Sequence, residues 1–330
     1  MKITFSDTRS TPAHGNQDKM WSQPVDINKL IKEYDRSFYL DFLTQFPDQI
    51  EKAKEIEIPI FKPPHKIRNG AVLGMGGSAI GGDLATGILA DSLSVPISVI
   101  RGYEIPGWIG KDTLVVVSSY SGNTEETLSS FREALERGAM CVCMSTGGDV
   151  KTIADQNNLP VITLPKGYQP RAAVGFSLIP LLRLLDSLDL IINIDLENEI
   201  NETISLLSNL NNKYSPNNGL SSPPAVLASR SLDKLPVIYT GSSPAEAIGT
   251  RWCGQIAEIA KMLAHHNTLP EMNHNEIMSW ADDLYIRKDI MAIFLRDSLE
   301  QPRLKLRFDI TREIVERIAG DTIELFAEGR

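Results

Sequence analysis

Cysteine is scarce. Three residues, Cys141, Cys143 and Cys253, are too few for a disulfide framework. Positive charge is also in deficit: 33 Lys and Arg face 42 Asp and Glu, giving a net charge of −9. That balance argues against nucleic acid or an anionic membrane as the main partner. A phosphorylated ligand would need a local positive field, from backbone amides or a placed arginine. Long uninterrupted apolar runs are missing as well. The most apolar stretch, "SLIPLLRLLDSLDLII", is broken by Arg183, Asp186 and Asp189 and does not read as a membrane span. No charged-then-apolar leader opens the chain, since "MKITFSDTRSTPAHGNQ" is polar and expected to be mobile. The cytoplasm is the expected compartment. No H-E-x-x-H or comparable ligand spacing occurs, so no metal site is expected. "CVCM" reads as a buried strand with both cysteines on one face, a C-x-C metal or redox pair being the lesser alternative.

What is present is a rhythm. At 330 residues, about two domains are expected. Residues 28–57 carry helical spacing, with a break expected near Pro47. After the linker "FKPPHKIRNG", short apolar runs of strand length recur: "AVLGM", "PISVIRG", "TLVVVSSYSG", "AMCVCMST" and "PVITLP". Amphipathic helix patterns such as "NTEETLSSFREALERG" and "GDVKTIADQNN" lie between them. Such alternation points to an α/β fold, a parallel sheet covered on both faces. Residues 177–210 read mainly as helix, followed by a Ser/Asn/Pro-rich break. Then "LPVIYTGSSPAEAIGTRWCGQIAEIAKMLA" repeats the strand, small-residue turn and helix order of "GAVLGMGGSAIGGDLATGILA", which suggests a duplicated unit. "YIRKDIMAIFLRD" and "DTIELFAE" supply further strands.

Two turns carry the functional signal. In "VLGMGGSAIGG", Gly76, Gly77 and Ser78 stand where a strand gives way to a helix, a place that favours an anion. Gly74, Gly76 and Ala79 also fit a dinucleotide fingerprint, and Arg101 after the next strand would then hint at NADP. The competing evidence is "VVVSSYSGNTEETL", where Ser119, Ser121 and Thr124 surround Gly122 at a helix start. Three hydroxyls and free amides suit the three terminal oxygens of a phosphate monoester. Plain capping by Asn123 or Thr124, with Glu125 and Glu126 complementing the dipole, explains only one of those hydroxyls. Both loops would meet at the carboxyl edge of one sheet, which favours a sugar phosphate over a pyrophosphate.

"GMGGSAIGGD" with "SSYSGNTEET" resembles the first sugar isomerase (SIS) domain of the bifunctional phosphoglucose/phosphomannose isomerases. "GYQPRAAVGFSL", "RWCGQIAEIAKMLA" and "LPEMNHNEIMSW" resemble that family's PRAA, R-W-x-x-Q-x-x-E and P-E-x-N-H-N-E segments. These five motifs run in order from about residue 70 to 280. The resemblance implies two SIS-type domains, each a doubly wound, flavodoxin-like parallel sheet flanked by helices. The expected division is a helical segment 1–60, a phosphate-binding domain 61–190, and an incomplete second domain 191–330.

The resemblance also implies roles. Interconverting an aldose and a ketose phosphate requires ring opening, a base that shuttles a proton between C1 and C2, and a positive group to steady the enediolate. Glu258 is implied as the base. It is expected beside an apolar stripe of Trp252, Ile256, Ile259 and Leu263, near Gln255 and Arg251. Spacing alone favours an ordinary surface glutamate paired with Lys261. His274 is implied as the ring-opening group, reaching the site of a partner subunit in a homodimer; by itself it reads as a loop histidine among Asn and Glu. Arg171 is implied as the cation over the enediolate, an arginine on a loop being otherwise a solvated charge. No cofactor is implied. His265 and His266 are expected near the C-terminus of the Glu258 helix, as dipole partners, and Glu271 and Glu276 as hydrogen-bonders of the His274 loop. The family's tail carries a threonine and a lysine of the sugar pocket that no position here matches, so the second domain is expected to lack elements. A phosphosugar-sensing module without catalysis, and an NADP-linked oxidoreductase, are the alternatives.

Overall fold

The computed structural model describes residues 27–242, 244–281 and 288–328. The polar opening stretch and the start of the expected strand at Tyr285 to Arg287 lie outside the described residues. The chain divides into two compact units, Asp41–Leu207 and a second made of Met1–Leu40 with Ser208–Arg330.

Helical spacing in residues 28–57 becomes three short helices, α1 (Ile27–Tyr34), α2 (Tyr39–Thr44) and α3 (Phe46–Lys54). The break expected near Pro47 is present: α2 ends at Thr44 and α3 starts at Phe46, with Pro47 in its first turn, where its missing N–H has no intrahelical bond to lose. One break comes earlier, where Phe38 adopts a φ of 53° and the Asp35 carboxylate accepts from the Tyr39 and Leu40 amides, both at 2.8 Å.

In the unit Asp41–Leu207, strands β1 (Asn69–Leu73), β2 (Ile97–Ile100), β3 (Thr113–Ser118), β4 (Met140–Ser145) and β5 (Val161–Thr163) form one sheet. All pairs are parallel and the order is β2-β1-β3-β4-β5. Helices α4 (Gly76–Ile88), α5 (Glu125–Glu136), α6 (Gly148–Gln156), α7 (Val174–Ser187) and the start of α8 (Leu196–Tyr214) belong with it. Every residue of β3 and β4 is buried, as a sheet covered on both faces requires. Alternate residues feed two cores. Val72, Leu114, Val116, Val142 and Met144 face one, with Phe176, Leu181 and Leu184 of α7. Ala71, Leu73, Val115, Val117, Cys141 and Cys143 face the other, with Phe131 of α5. The two cysteines therefore share one face of a buried strand, as their spacing predicts.

The second unit carries β6 (Leu235–Thr240), β7 (His265–Thr268), β8 (Ile290–Asp297) and β9 (Asp321–Ala327), all parallel in the order β7-β6-β8-β9. This is the first sheet's order with one edge strand fewer. Its helices are α9 (Pro223–Ser231), α10 (Ala245–Gln255) and α11 (Pro302–Glu316). Tyr239, Phe294, Phe308 and Trp280 fill one core, and Ile238, Met291, Ile293 and Ile323 the other. Strand β7 is a correction, because His265 and His266 lie on it and not at a helix end. The helix stops early. A π turn spans Ile256–Ala260 and Lys261 adopts a left-handed φ of 58°, which turns the chain back toward the sheet. Among the described residues, no helix is long and apolar enough to cross a membrane.

Candidate active site

In an open sheet of order 2-1-3-4-5, strand order reverses between the first and third strands, and ligands bind at the carboxyl ends there. The β1–α4 and β3–α5 turns flank that point and are laced together. Ser118 Oγ donates to the Ser78 carbonyl at 3.0 Å, and Ser78 Oγ accepts from the Tyr120 amide at 3.0 Å. A Cβ on Gly74 would meet the Ser118 carbonyl oxygen at 2.8 Å, so only glycine permits this approach. Gly76 begins α4 with a φ of 48° and is exposed.

Within the β3–α5 turn, Ser119 Oγ lies 3.1 Å from Thr124 Oγ1 and accepts from the Gly122 amide at 3.1 Å. Ser121 is exposed, its hydroxyl accepting from the Asn123 amide at 3.3 Å. Thr124 occupies the N-cap position of α5 but makes no capping bond with its side chain. Neither Thr124 nor Asn123 thus caps α5 with its side chain, while Ser119 and Ser121 accept amides of their own loop. A third turn, after β4, props the second: the Asp149 amide donates to Asn123 Oδ1 at 3.0 Å, and the Val150 amide to the Gly122 carbonyl at 2.9 Å.

Arg171 lies in a 3-10 turn, Pro170–Ala172, beside this cradle. A Cβ on Gly77 would stand 2.6 Å from the Pro170 carbonyl oxygen and 3.4 Å from the Arg171 nitrogen. The structure therefore brings Gly76, Gly77, Ser78, Ser119, Ser121 and Thr124 together and sets the Arg171 backbone against them. Two supports escaped the sequence reading. Buried Gln49 of α3 donates to the Ala172 carbonyl at 2.7 Å and accepts from the Gly175 amide at 2.8 Å. Tyr120 donates from its hydroxyl to the Pro165 carbonyl at 2.6 Å and accepts there from the Tyr168 amide at 3.1 Å. Tyr120 stands inside "SSYSG" and was open to view; nothing in the sequence around Gln49 marks it.

Glu258 and His274 belong to the second unit. Glu258 is exposed in the π turn, not at the margin of a core stripe. Trp252 and Ile256 do pack on the core, but Ile259 is 40% and Leu263 82% exposed, because α10 ends before them. Lys261 Nζ donates to the Glu258 carbonyl oxygen at 2.7 Å. Behind Glu258, the buried Tyr39 hydroxyl donates to Gln255 Oε1 at 2.6 Å. Arg251 completes the group: burial lowers its pKa, while Tyr39 and Glu258 favour its charge. Single-turn π segments in α-helices recur at functional sites, and this one separates the Glu258 side chain from the regular helix.

His274 ends a short 3-10 turn, Glu271–His274, and is exposed between buried Met272 and half-buried Glu276. Glu271 accepts from Asn275 Nδ2 at 3.0 Å, and Glu276 is bonded to Tyr239, Asn267 and His265. Both glutamates are structural hydrogen-bonders of the His274 loop, as expected, Glu276 through partners on β6 and β7. His266 is held by Thr240 at 2.9 Å, and a Cβ on Gly249 of α10 would strike its ring at 2.2 Å.

The matching turn of the second sheet, after β8, is filled by its own side chains. Arg296, buried, bonds Glu300 at 2.8 Å, Asp309 at 2.7 Å and Glu324 at 3.1 Å. Burial opposes its charge, but those carboxylates outweigh burial and raise its pKa. Gln301 caps α11, accepting from the Arg303 and Leu304 amides. Duplication of the fold has not duplicated the cradle. Arg101, the residue that a dinucleotide reading needs for a 2′-phosphate, is paired with Asp83 of α4.

Among the described residues, no three His, Cys, Asp or Glu side chains converge as metal ligands. Burial drives the Cys141 thiol up to about 12 and raises Cys143 as well, the reverse of what a thiolate ligand or redox pair needs.

Residues 221–330 match the model of the bacterial phospho-glucose isomerase C-terminal SIS domain. A bifunctional phosphoglucose/phosphomannose isomerase of Caldicellulosiruptor bescii is 38% identical over 286 residues, 86% of this chain and 84% of that protein. A D-glucosamine-6-phosphate 4-epimerase of Sulfolobus acidocaldarius is 33% identical over 230 residues, 69% of this chain and 68% of that protein. Among solved structures, the C-terminal domain of glucosamine-fructose-6-phosphate aminotransferase from Francisella tularensis superposes with a TM-score of 0.66. It is 15% identical, covers 88% of this chain and 89% of its own, and is a likeness of fold. The twin parallel sheets, the five ordered motifs and identity across most of a relative's length converge: the chain belongs to the bifunctional phosphoglucose/phosphomannose isomerase family.

Proposed function

We propose that this protein interconverts glucose 6-phosphate and mannose 6-phosphate with fructose 6-phosphate through a cis-enediolate. The observation that carries the reading is the gathering of Ser78, Ser119, Ser121 and Thr124 at the first sheet's switch point, with the Thr124 hydroxyl turned to Ser119 and not to its helix. Three phosphate oxygens would be met there by hydroxyls and by first-turn amides of α4 and α5, without a metal.

His274 opens the ring, taking the proton of the C1 hydroxyl and returning one to the ring oxygen. Glu258 removes the C2 proton of the aldose and delivers it to C1. The oxygen that gains charge in between is met by Arg171, which stays protonated throughout. The active form is a homodimer working in the cytoplasm, in which His274 of the partner subunit completes each site; an exposed His274 supports this. In domain terms, residues 61–190 bind phosphate, residues 191–330 supply base and imidazole, and residues 1–60 form a helical segment.

The test is a coupled assay for fructose 6-phosphate formed from glucose or mannose 6-phosphate, run with Glu258→Gln beside wild type. Loss of turnover with retained sugar-phosphate binding is the expected result, and unchanged turnover would remove Glu258 as base. Binding without turnover in wild type would make the chain a phosphosugar sensor. A C4 epimer as product would replace isomerisation by the reaction named for the Sulfolobus relative.

A further inference from the structure

The segments that carry Glu258 and His274 are joined by one carboxylate that the reaction itself does not use. Glu276 Oε1 accepts from the Tyr239 hydroxyl at 2.6 Å, and Tyr239 in turn accepts from Trp280 Nε1 at 2.9 Å. Glu276 Oε2 accepts from Asn267 Nδ2 at 2.6 Å and lies 2.9 Å from His265 Nε2. Tyr239 is on β6 and fully buried, while Asn267 and His265 are on β7. Three side chains from a central strand and an edge strand thus meet at this carboxylate, and Trp280 backs one of them.

Sequence position gives the cluster its meaning. His265 begins the strand that follows the π turn, seven positions after Glu258, and Glu276 stands two positions after His274. Between these points only β7 is regular; the rest is a left-handed Lys261, an exposed Leu263 and the short 3-10 turn Glu271–His274. The exposed imidazole therefore rests on a turn held by buried Met272 on one side and by the Glu276 bonds on the other.

We propose that Glu276 is a positioning residue, a buckle that ties the His274 turn to β7 and β6 and so sets the imidazole and the Glu258 turn in one frame. The inference rests on the isomerase reading for its catalytic consequence, but the buckle itself is structural. Burial favours the neutral acid at Glu276, and the bonds from Tyr239, Asn267 and His265 outweigh it, leaving the pKa below the ordinary carboxylate value. An ionised acceptor on two or three donors makes stronger bonds than a neutral one.

Two readouts test it, both on the whole 330-residue chain. The first is amide hydrogen exchange in Glu276→Gln, where the new NH2 faces the Asn267 donor. Exchange across residues 271–280 is expected to quicken by about tenfold or more, with β8 unchanged. The milder Tyr239→Phe, which deletes one donor, should give a smaller change in the same place. The second is a double-mutant cycle on turnover. Glu276→Gln should lower kcat by about tenfold or more with little change in KM, yet add less than about twofold in a His274→Ala background, since both act through one group. Unchanged exchange in 271–280 would overturn the buckle. An equal kcat loss in both backgrounds would overturn its action through His274. If wild type shows no turnover while exchange quickens as expected, the buckle stands and the isomerase reading falls.

Discussion

The hydroxyls of Ser119 and Thr124 face each other across 3.1 Å, at the one position of α5 where a threonine would ordinarily cap its own helix. Thr124→Val keeps the shape and deletes the hydroxyl. Only the Ser119–Thr124 bond is lost in the free protein, with no capping bond beside it, so stability without ligand should fall by no more than about 1 kcal/mol. Sugar-phosphate affinity should fall by about tenfold or more, the loss expected for one hydrogen bond to a charged group. Titration calorimetry with fructose 6-phosphate reads the affinity and thermal unfolding without ligand reads the stability, and a stability loss with unchanged affinity would return Thr124 to a capping role.

Gly77 couples the cradle to Arg171. Its missing Cβ leaves room for the Pro170 carbonyl, which a methyl group would approach to 2.6 Å. Backbone atoms cannot rotate out of the way as a flexible side chain can. Gly77→Ala should displace the Pro170–Ala172 turn that Gln49 holds, raising KM and lowering kcat together, where Thr124→Val acts chiefly on KM. Steady-state kinetics with both variants separates the two patterns.

Much of this was legible in advance because burial writes itself into composition. Strands β3 and β4 are buried at every position, and "TLVVVS" and "MCVCMS" are continuous apolar runs. The cradle was legible for a similar reason: serines and glycines crowded at a strand end have few other uses. Strand β7 was not. "HHNT" has no apolar run, and its pairing with β6 depends on a helix ending at Lys261, in a left-handed conformation that nothing in "AKMLA" announces. The same early ending put Ile259 and Leu263 in solvent and left Glu258 on a turn, where helical spacing had continued the stripe. Gln49 was invisible because its two bonds reach residues more than a hundred positions away. Local pattern reports burial well and long-range polar contacts poorly.

Thiol chemistry offers a simple check on the core that holds Phe131. Cys141 and Cys143 point into it, and burial raises both thiols, Cys141 to about 12. Cys253 is half-buried, and burial raises its thiol as well. At pH 8 an aromatic disulfide reagent should react with at most one thiol in the native protein and with all three after unfolding. Rapid reaction of two native thiols would place the "CVCM" strand outside the core.

Acid should destabilise the second unit in two stages, with opposite charge chemistry. His266 is held below its ordinary 6.5 chiefly by burial, with His265 adding to the effect and Glu276 opposing it. The unfolded chain therefore takes up that proton first, and stability begins to fall as pH drops below about 6.5. Asp321 behaves as a paired carboxylate. Burial opposes its charge, but two bonds from Arg230, at 2.9 and 2.5 Å, outweigh it and lower the pKa below 3.8. Its contribution is complete above the unfolded value and is lost as pH falls through the folded one, so the second stage lies below about pH 4. Thermal unfolding followed from pH 8 to pH 3 should show both stages. Arg230→Leu should lower the midpoint at pH 7, and the gap to wild type should narrow as pH falls below about 4 and Asp321 takes up its proton. A gap that stays constant with pH would mean that Arg230 stabilises β9 by packing and not by charge.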